Sequence, residues 1–212
     1  MAFTGFSAET FAFYDRLAAD NTKEFMKREK AVYDRAVHAP MAALAEELSG
    51  EFGEVQVLRP QRDSRFSNDK SPYKIYQGAY TDTEPCLGYW VQVDAGGLYV
   101  SGRFYPWATE QVTRFRAAVE DDVTGPGLAA IVAVLRDGGF QIGGERLKTA
   151  PRGYPKDHSR IDLIRHKKID AGLRFAPAAW MHTGEPLARV REIWRALTPM
   201  LDWISVNAKP TP

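Results

Sequence analysis

The sequence predicts an α+β fold, in which one largely antiparallel sheet of about four to six strands packs against flanking helices. Three observations point there. Apolar residues recur at helical spacing toward both ends of the chain: Val37, Met41, Leu44 and Leu48 early, then Leu187, Val190, Ile193, Trp194 and Leu197 late. Between them the period drops to two, most clearly at Tyr89, Val91 and Val93. Strands are grouped between helices rather than alternating with them, which disfavours a parallel α/β sheet.

Taken in order, Ser7 is placed to cap a helix over 8–19 whose Phe11, Tyr14 and Leu17 share a face. Asn21-Thr22 opens a longer helix, with a kink or break expected at Pro40 and an end at Gly50 and Gly53. Val55 and Val57 start a strand that stops at Pro60, and residues 74–80 form a second. The turn Asp94-Ala95-Gly96-Gly97 joins the Tyr89 strand to one through Leu98, Val100 and Phe104, the best hairpin signal in the chain. A helix follows near Thr109 and is broken by Gly125-Pro126-Gly127 before another over 128–135. A short strand over 140–142, a helix capped by Ser159 and a strand over 168–175 come next. A last helix starts at Pro186 and meets Pro199 before a final turn.

The chain has 212 residues, and 44% hydrophobic with 26% charged is ordinary for a globular protein. No linker-like tract interrupts it, so one domain over 1–212 is expected. A chain of this length buries roughly 70% of its unfolded surface and needs neither disulfide nor metal to hold a core. Cys86 is the single cysteine, and the start of the chain has neither a basic n-region nor a long apolar run. Both predict a cytoplasmic protein. The apolar run 127–135 is too short to cross a bilayer, so no membrane partner is expected.

Net charge is +1, low for a dedicated nucleic-acid binder. The charge is unevenly spread. Residues 59–74 hold five basic side chains against two acidic ones, residues 146–174 hold nine against three, and the remainder is acidic. Two basic loops that met in space would focus an anion. Two solvated faces with internal ion pairs would give the same composition.

The first loop, Arg62-Asp63-Ser64-Arg65-Phe66-Ser67-Asn68-Asp69-Lys70-Ser71-Pro72-Tyr73-Lys74, joins turn residues to cations. Consecutive turn N–H groups beside arginine suit an anion, and the planar guanidinium matches carboxylate or phosphate in two-point contacts. Arg62, Arg65, Lys70, Tyr73 and Lys74 are the ligand-binding candidates here. Asp63 and Asp69 are placed to orient the cations, to hold a divalent metal, or to act as acid or base. The second loop, residues 147–158, is stiffened by Pro151, Gly153 and Pro155 and offers Arg152 and Tyr154 as ligand contacts. His158, just before a helix, is the histidine best placed for acid–base work near neutral pH. Ser67-Asn68-Asp69-Lys70 has the Ser-x-x-Lys spacing of penicillin-recognising enzymes, but Ser71-Pro72 follows at once and the supporting motifs are absent. No Gly-rich phosphate loop, dinucleotide fingerprint or zinc spacing is present, and no cofactor or metal site is specified.

These segments resemble the signature blocks of an uncharacterised family catalogued as a domain of unknown function. The likeness rests on Phe3-Thr4-Gly5-Phe6, Asn21-Thr22-Lys23-Glu24-Phe25, the block from Arg62 to Lys74, and Ala150-Pro151-Arg152-Gly153-Tyr154 with Asp157-His158. Thr22 and Phe25-Met26 depart from the second asparagine and the Trp-Phe associated with that family. The resemblance implies a shared fold and a shared polar site, and no activity. The expectation is therefore a protein that binds, and if an enzyme turns over, a phosphorylated or otherwise anionic small molecule at its basic loops. The alternatives are a nucleic-acid-binding module and a non-catalytic scaffold whose motif charges are internal ion pairs. Oligomeric state is left open.

Overall fold

The computed structural model describes residues 2–63 and 69–208. Its helices are α1 (Ala8–Ala19), α2 (Lys23–Arg28), α3 (Lys30–Val32), α4 (Ala39–Phe52), α5 (Thr109–Glu120), α6 (Gly125–Asp137), α7 (Ile161–Ile164) and α8 (Glu185–Ala208). Its strands are β1 (Gln56–Val57), β2 (Tyr76–Glu84), β3 (Leu87–Asp94), β4 (Gly97–Phe104), β5 (Gln141–Gly143) and β6 (Ile169–Phe175). The strands form one antiparallel sheet in the order β1-β2-β3-β4-β6-β5, the α+β arrangement expected from the sequence. Among the described residues no helix is long and apolar enough to cross a membrane. The chain gathers into two compact units: Met1–Thr81 with Trp90–Val100 and Arg174–Arg191, and Asp82–Tyr89 with Ser101–Leu173 and Glu192–Pro212.

In the first unit the aromatic residues of α1 set the core. Phe13 meets Tyr14 edge-on at 5.3 Å and lies 5.7 Å from both Phe25 and Tyr33, all of them buried. The buried Tyr33 hydroxyl donates to Gln77 Oε1 (2.7 Å), and Gln77 Nε2 donates to the Leu58 carbonyl (2.7 Å), so these buried polar groups are matched. Thr22 caps α2 by accepting the Phe25 N–H (3.1 Å), as its position before the helix suggested. Pro40 acts differently from the kink expected. It lies in the first turn of α4, directly after a π-helical stretch, Tyr33–His38. Proline cannot donate to the carbonyl four residues back, and the Ala36 carbonyl is taken by the Thr10 hydroxyl (2.6 Å). The helix continues through Gly50, and Gly53, at φ +84°, ends it.

In the second unit Phe104 and Phe115 pack 5.7 Å apart, and Trp194 stacks on Tyr89 at 5.1 Å. Two sequence expectations are corrected here. Gly125-Pro126-Gly127 does not precede α6 but forms its first turn, where proline needs no N–H partner. Ser159 does not cap α7, which starts at Ile161; instead His158 Nδ1 accepts the Arg160 N–H (3.1 Å). Similarly, α8 begins at Glu185 and runs through Pro199 to Ala208.

His166 is buried, with Nδ1 3.0 Å from the Lys168 carbonyl. Burial lowers its pKa, Arg146 and Arg136 push the same way, and the Lys168 carbonyl and Asp170 oppose them. A free histidine titrates near about 6.5. Because the folded value lies below that, the unfolded chain binds more protons once the pH falls through it. Stability is therefore full above that pH and is lost as the pH falls toward the folded-state value. Urea midpoints measured from about pH 7.5 to about 5.5 should fall, and His166→Gln should remove part of that decline.

Candidate functional site

The base of the first basic loop is a short two-stranded clasp. The Arg62 N–H donates to the Pro72 carbonyl (2.9 Å), the Lys74 N–H to the Pro60 carbonyl (2.9 Å), and Gln61 pairs with Tyr73. Asn21 extends the ladder with its side chain. Its Nδ2 donates to the Tyr73 carbonyl (3.0 Å) and its Oδ1 accepts the Tyr73 N–H (3.1 Å), as a neighbouring strand would. The Tyr73 ring packs against the α1–α2 aromatic core. Lys74 Nζ donates to the Arg59 (2.7 Å) and Gln61 (2.5 Å) carbonyls, which uses two of its three donors on the loop itself. Burial, then Arg59 and Arg62, lower its pKa.

Asp69 accepts the Ser71 N–H (2.9 Å), and with the Ser71 side chain and Arg62 this holds its carboxyl below the usual carboxylate range. Its Oδ2 lies 2.8 Å from Arg62 Nη1. Asp63 and Lys70 are exposed, and neither is without a partner. Arg65 lies outside the described residues.

Arg62 leads from this clasp into a cleft of about 500 Å³ lined also by Tyr14, Ala18, Ile75, Tyr76, Gln92, Asp94, Ala95 and Gly96. The Arg62 side chain is 24% exposed and its Nε is buried without a hydrogen-bond partner among the described residues. Most of the surface it faces is hydrocarbon, and Ile75 stands 46% exposed in it. Tyr14 is buried; burial first, then Tyr33, Asp94 and Tyr76, raise its pKa well above the ordinary phenol, so it remains a hydroxyl donor at neutral pH. Asp94 is fully engaged: both oxygens accept from Arg174 (3.0 Å each), Oδ1 also from the Gly96 N–H (2.8 Å) and Oδ2 from Gln92 (2.7 Å). The cleft thus offers one cation with donors to spare, set in an apolar surround whose carboxylate is already neutralised.

The second loop belongs to the other unit. Gly153, at φ +93°, turns the chain so that the Tyr154 N–H reaches the Pro151 carbonyl (3.2 Å). Tyr154 is half-buried; burial and Glu120 raise its pKa, and Arg116 lowers it. Arg152 is exposed. His158, using Nδ1 as an acceptor, carries its proton on Nε2 when neutral. Other cations of this stretch bond the backbone. Arg160 donates to the Val119 (2.7 Å) and Glu120 (2.6 Å) carbonyls that end α5, and Arg165 to those of Leu147 (2.8 Å) and Lys148 (2.6 Å). Sequence reasoning missed Tyr14, Ile75, Gln92 and Asp94 as cleft residues. Tyr14 reads as one more member of a helix face and Asp94 as a turn residue.

Fold and cleft together define an α+β protein with a single arginine turned into an apolar pocket. A family model described as a conserved hypothetical protein (DUF2461) matches residues 9–203, and the chain belongs to that family. The match includes every residue of the cleft. No curated protein matches the chain.

Proposed function

We propose that this protein binds an anionic small molecule with an apolar arm in the Arg62 cleft. The observation that supports this most is a partly exposed arginine in the wall of an otherwise largely apolar cleft. A carboxylate or phosphate would meet the accessible edge of the planar guanidinium, which Asp69 holds from the other side through Nη1. Tyr14 would supply a neutral donor, and Ile75 with Ala18 would cover the apolar arm. Lys74 sets the loop rather than meeting the ligand. The single thiol is consistent with a cytoplasmic setting.

Calorimetric titration with phenyl phosphate, benzoate and inorganic phosphate tests this. The two anions with a ring are expected to bind more tightly than inorganic phosphate, because only they bury apolar surface. Arg62→Gln should weaken them by roughly 30-fold or more, since removing a charged partner costs about 2–5 kcal/mol. Equal affinity in Arg62→Gln would contradict the assignment.

A further inference from the structure

The second unit contains its own pocket, of about 400 Å³, between the loop before α5 and the segments around Glu145 and Lys167. Trp107 stands at its edge and is 82% exposed, whereas the other tryptophans are buried or half-buried. An indole offers on the order of 200 Å² of mostly apolar surface, which is unfavourable to leave in water. Its backbone is held on both sides. Pro106 is buried, and the Ala108 N–H donates to Gln111 Oε1 (3.2 Å). The exposed ring is thus mounted on a fixed support.

Charged groups line the rest of the pocket. Glu145 pairs with Lys167 (2.9 Å) and Lys168 (3.4 Å). Arg116 is anchored through its Nε to the Ile164 carbonyl (2.9 Å). The pocket therefore holds three cations and one carboxylate, and Glu145 pairs with two of the three. Each lysine ammonium has three donors, of which Glu145 takes one. The lysines and Glu145 are all more than two-fifths exposed, so their pairing adds little to stability.

A flat hydrophobic face, two lysines with donors to spare and one carboxylate acceptor match three parts of one ligand class. From this juxtaposition we infer that the pocket binds a nucleotide. The base stacks on Trp107, and the phosphate lies against Lys167 and Lys168. Glu145 accepts from a ribose hydroxyl or an exocyclic amino group. Inorganic phosphate can use the lysines but neither the indole face nor the Glu145 acceptor, so a nucleotide should bind more tightly. A free mononucleotide and one nucleotide of a single strand share this chemistry. The site uses no residue of the Arg62 cleft, so it stands or falls separately.

Tryptophan fluorescence of the intact protein, titrated with AMP, ATP, a short oligothymidylate and inorganic phosphate, tests the inference. Saturable quenching by AMP and ATP is expected, and calorimetric titration, which does not need the indole as reporter, should show AMP affinity reduced roughly 5- to 150-fold in Trp107→Ala, the range for losing one base stack. The Lys167→Ala, Lys168→Ala double variant should weaken AMP more than adenosine. Trp107→Ala should keep its melting temperature, because the ring is exposed, and Arg62→Gln should bind nucleotide normally. Quenching by the oligonucleotide alone, with an affinity that falls steeply with salt, would assign the source to a single strand. The inference is overturned by the absence of saturable quenching with any nucleotide, by unchanged affinity in Trp107→Ala, or by inorganic phosphate binding as tightly as AMP.

Discussion

Trp194→Ala is expected to destabilise the protein by about 3–5 kcal/mol, the usual cost of emptying a large aromatic site, and to lower Tm by roughly 6–20 °C. Trp194 is fully buried and is among the largest side chains in that position. Its ring stacks on Tyr89 with 26° between the planes, and the Tyr89 hydroxyl is tied to Thr198 Oγ1 (2.8 Å) one turn further along α8. Tyr89 is thus held from the same helix that supplies Trp194 and cannot easily turn into the hole. On the facing strand Gly102 approaches α8 closely: a Cβ there would lie 3.3 Å from Leu197 Cβ. Backbones packed this tightly leave little room for collapse, which places the cost toward the upper part of the range. Urea unfolding of Trp194→Ala and Trp194→Phe checks this, the phenylalanine variant being the milder. A loss below about 1 kcal/mol in the alanine variant would mean that the helix relaxes into the space.

Gly97→Ala is expected to cost about 2–5 kcal/mol, combining the strain of a left-handed residue with a steric overlap. Gly97 has φ +109°, and a Cβ there would lie 2.0 Å from the Phe175 carbonyl oxygen and 3.0 Å from Pro177 N. The obstructing atoms are backbone, and Arg174 next to them is fixed by its two bonds to Asp94. Relief must therefore come from moving the turn itself. Because Asp94, Ala95 and Gly96 form one wall of the Arg62 cleft, ligand affinity should fall together with thermal stability. Melting curves with and without phenyl phosphate report both effects. A variant with unchanged Tm would show that the turn has another conformation within easy reach.

The hairpin turn was legible because Asp94-Ala95-Gly96-Gly97 carries its own conformational demand, and Tyr89, Val91 and Val93 alternate without exception. The breaks at proline were less legible. Pro40 and Pro126 both read as interruptions, yet each sits in the first turn of a helix. At Pro40 the compensation is Thr10, 26 residues from the Ala36 carbonyl it bonds, and no local pattern signals it. The charge asymmetry was correctly located, but its use was not apparent. Arg160 and Arg165 serve carbonyls, Lys167 and Lys168 share Glu145, and Arg174 holds Asp94. In a sequence these are indistinguishable from Arg62, which points into a cleft. Tyr14 and Ile75 become cleft residues only through the path of the chain, since a buried helix face and a strand end give no hint of what lies opposite.

The most direct test of the Arg62 cleft is a thermal-shift comparison of the native protein and Arg62→Gln against phosphate, sulfate, sugar phosphates, benzoate and phenyl phosphate. A ligand at a hundred times its dissociation constant stabilises by about 2.7 kcal/mol, a rise of roughly 5–11 °C for a chain of this size. The expected result is such a rise with at least one anion that carries an apolar arm, and none with the same ligand in Arg62→Gln. No rise with any anion, or the same rise in both proteins, would contradict anion binding at Arg62.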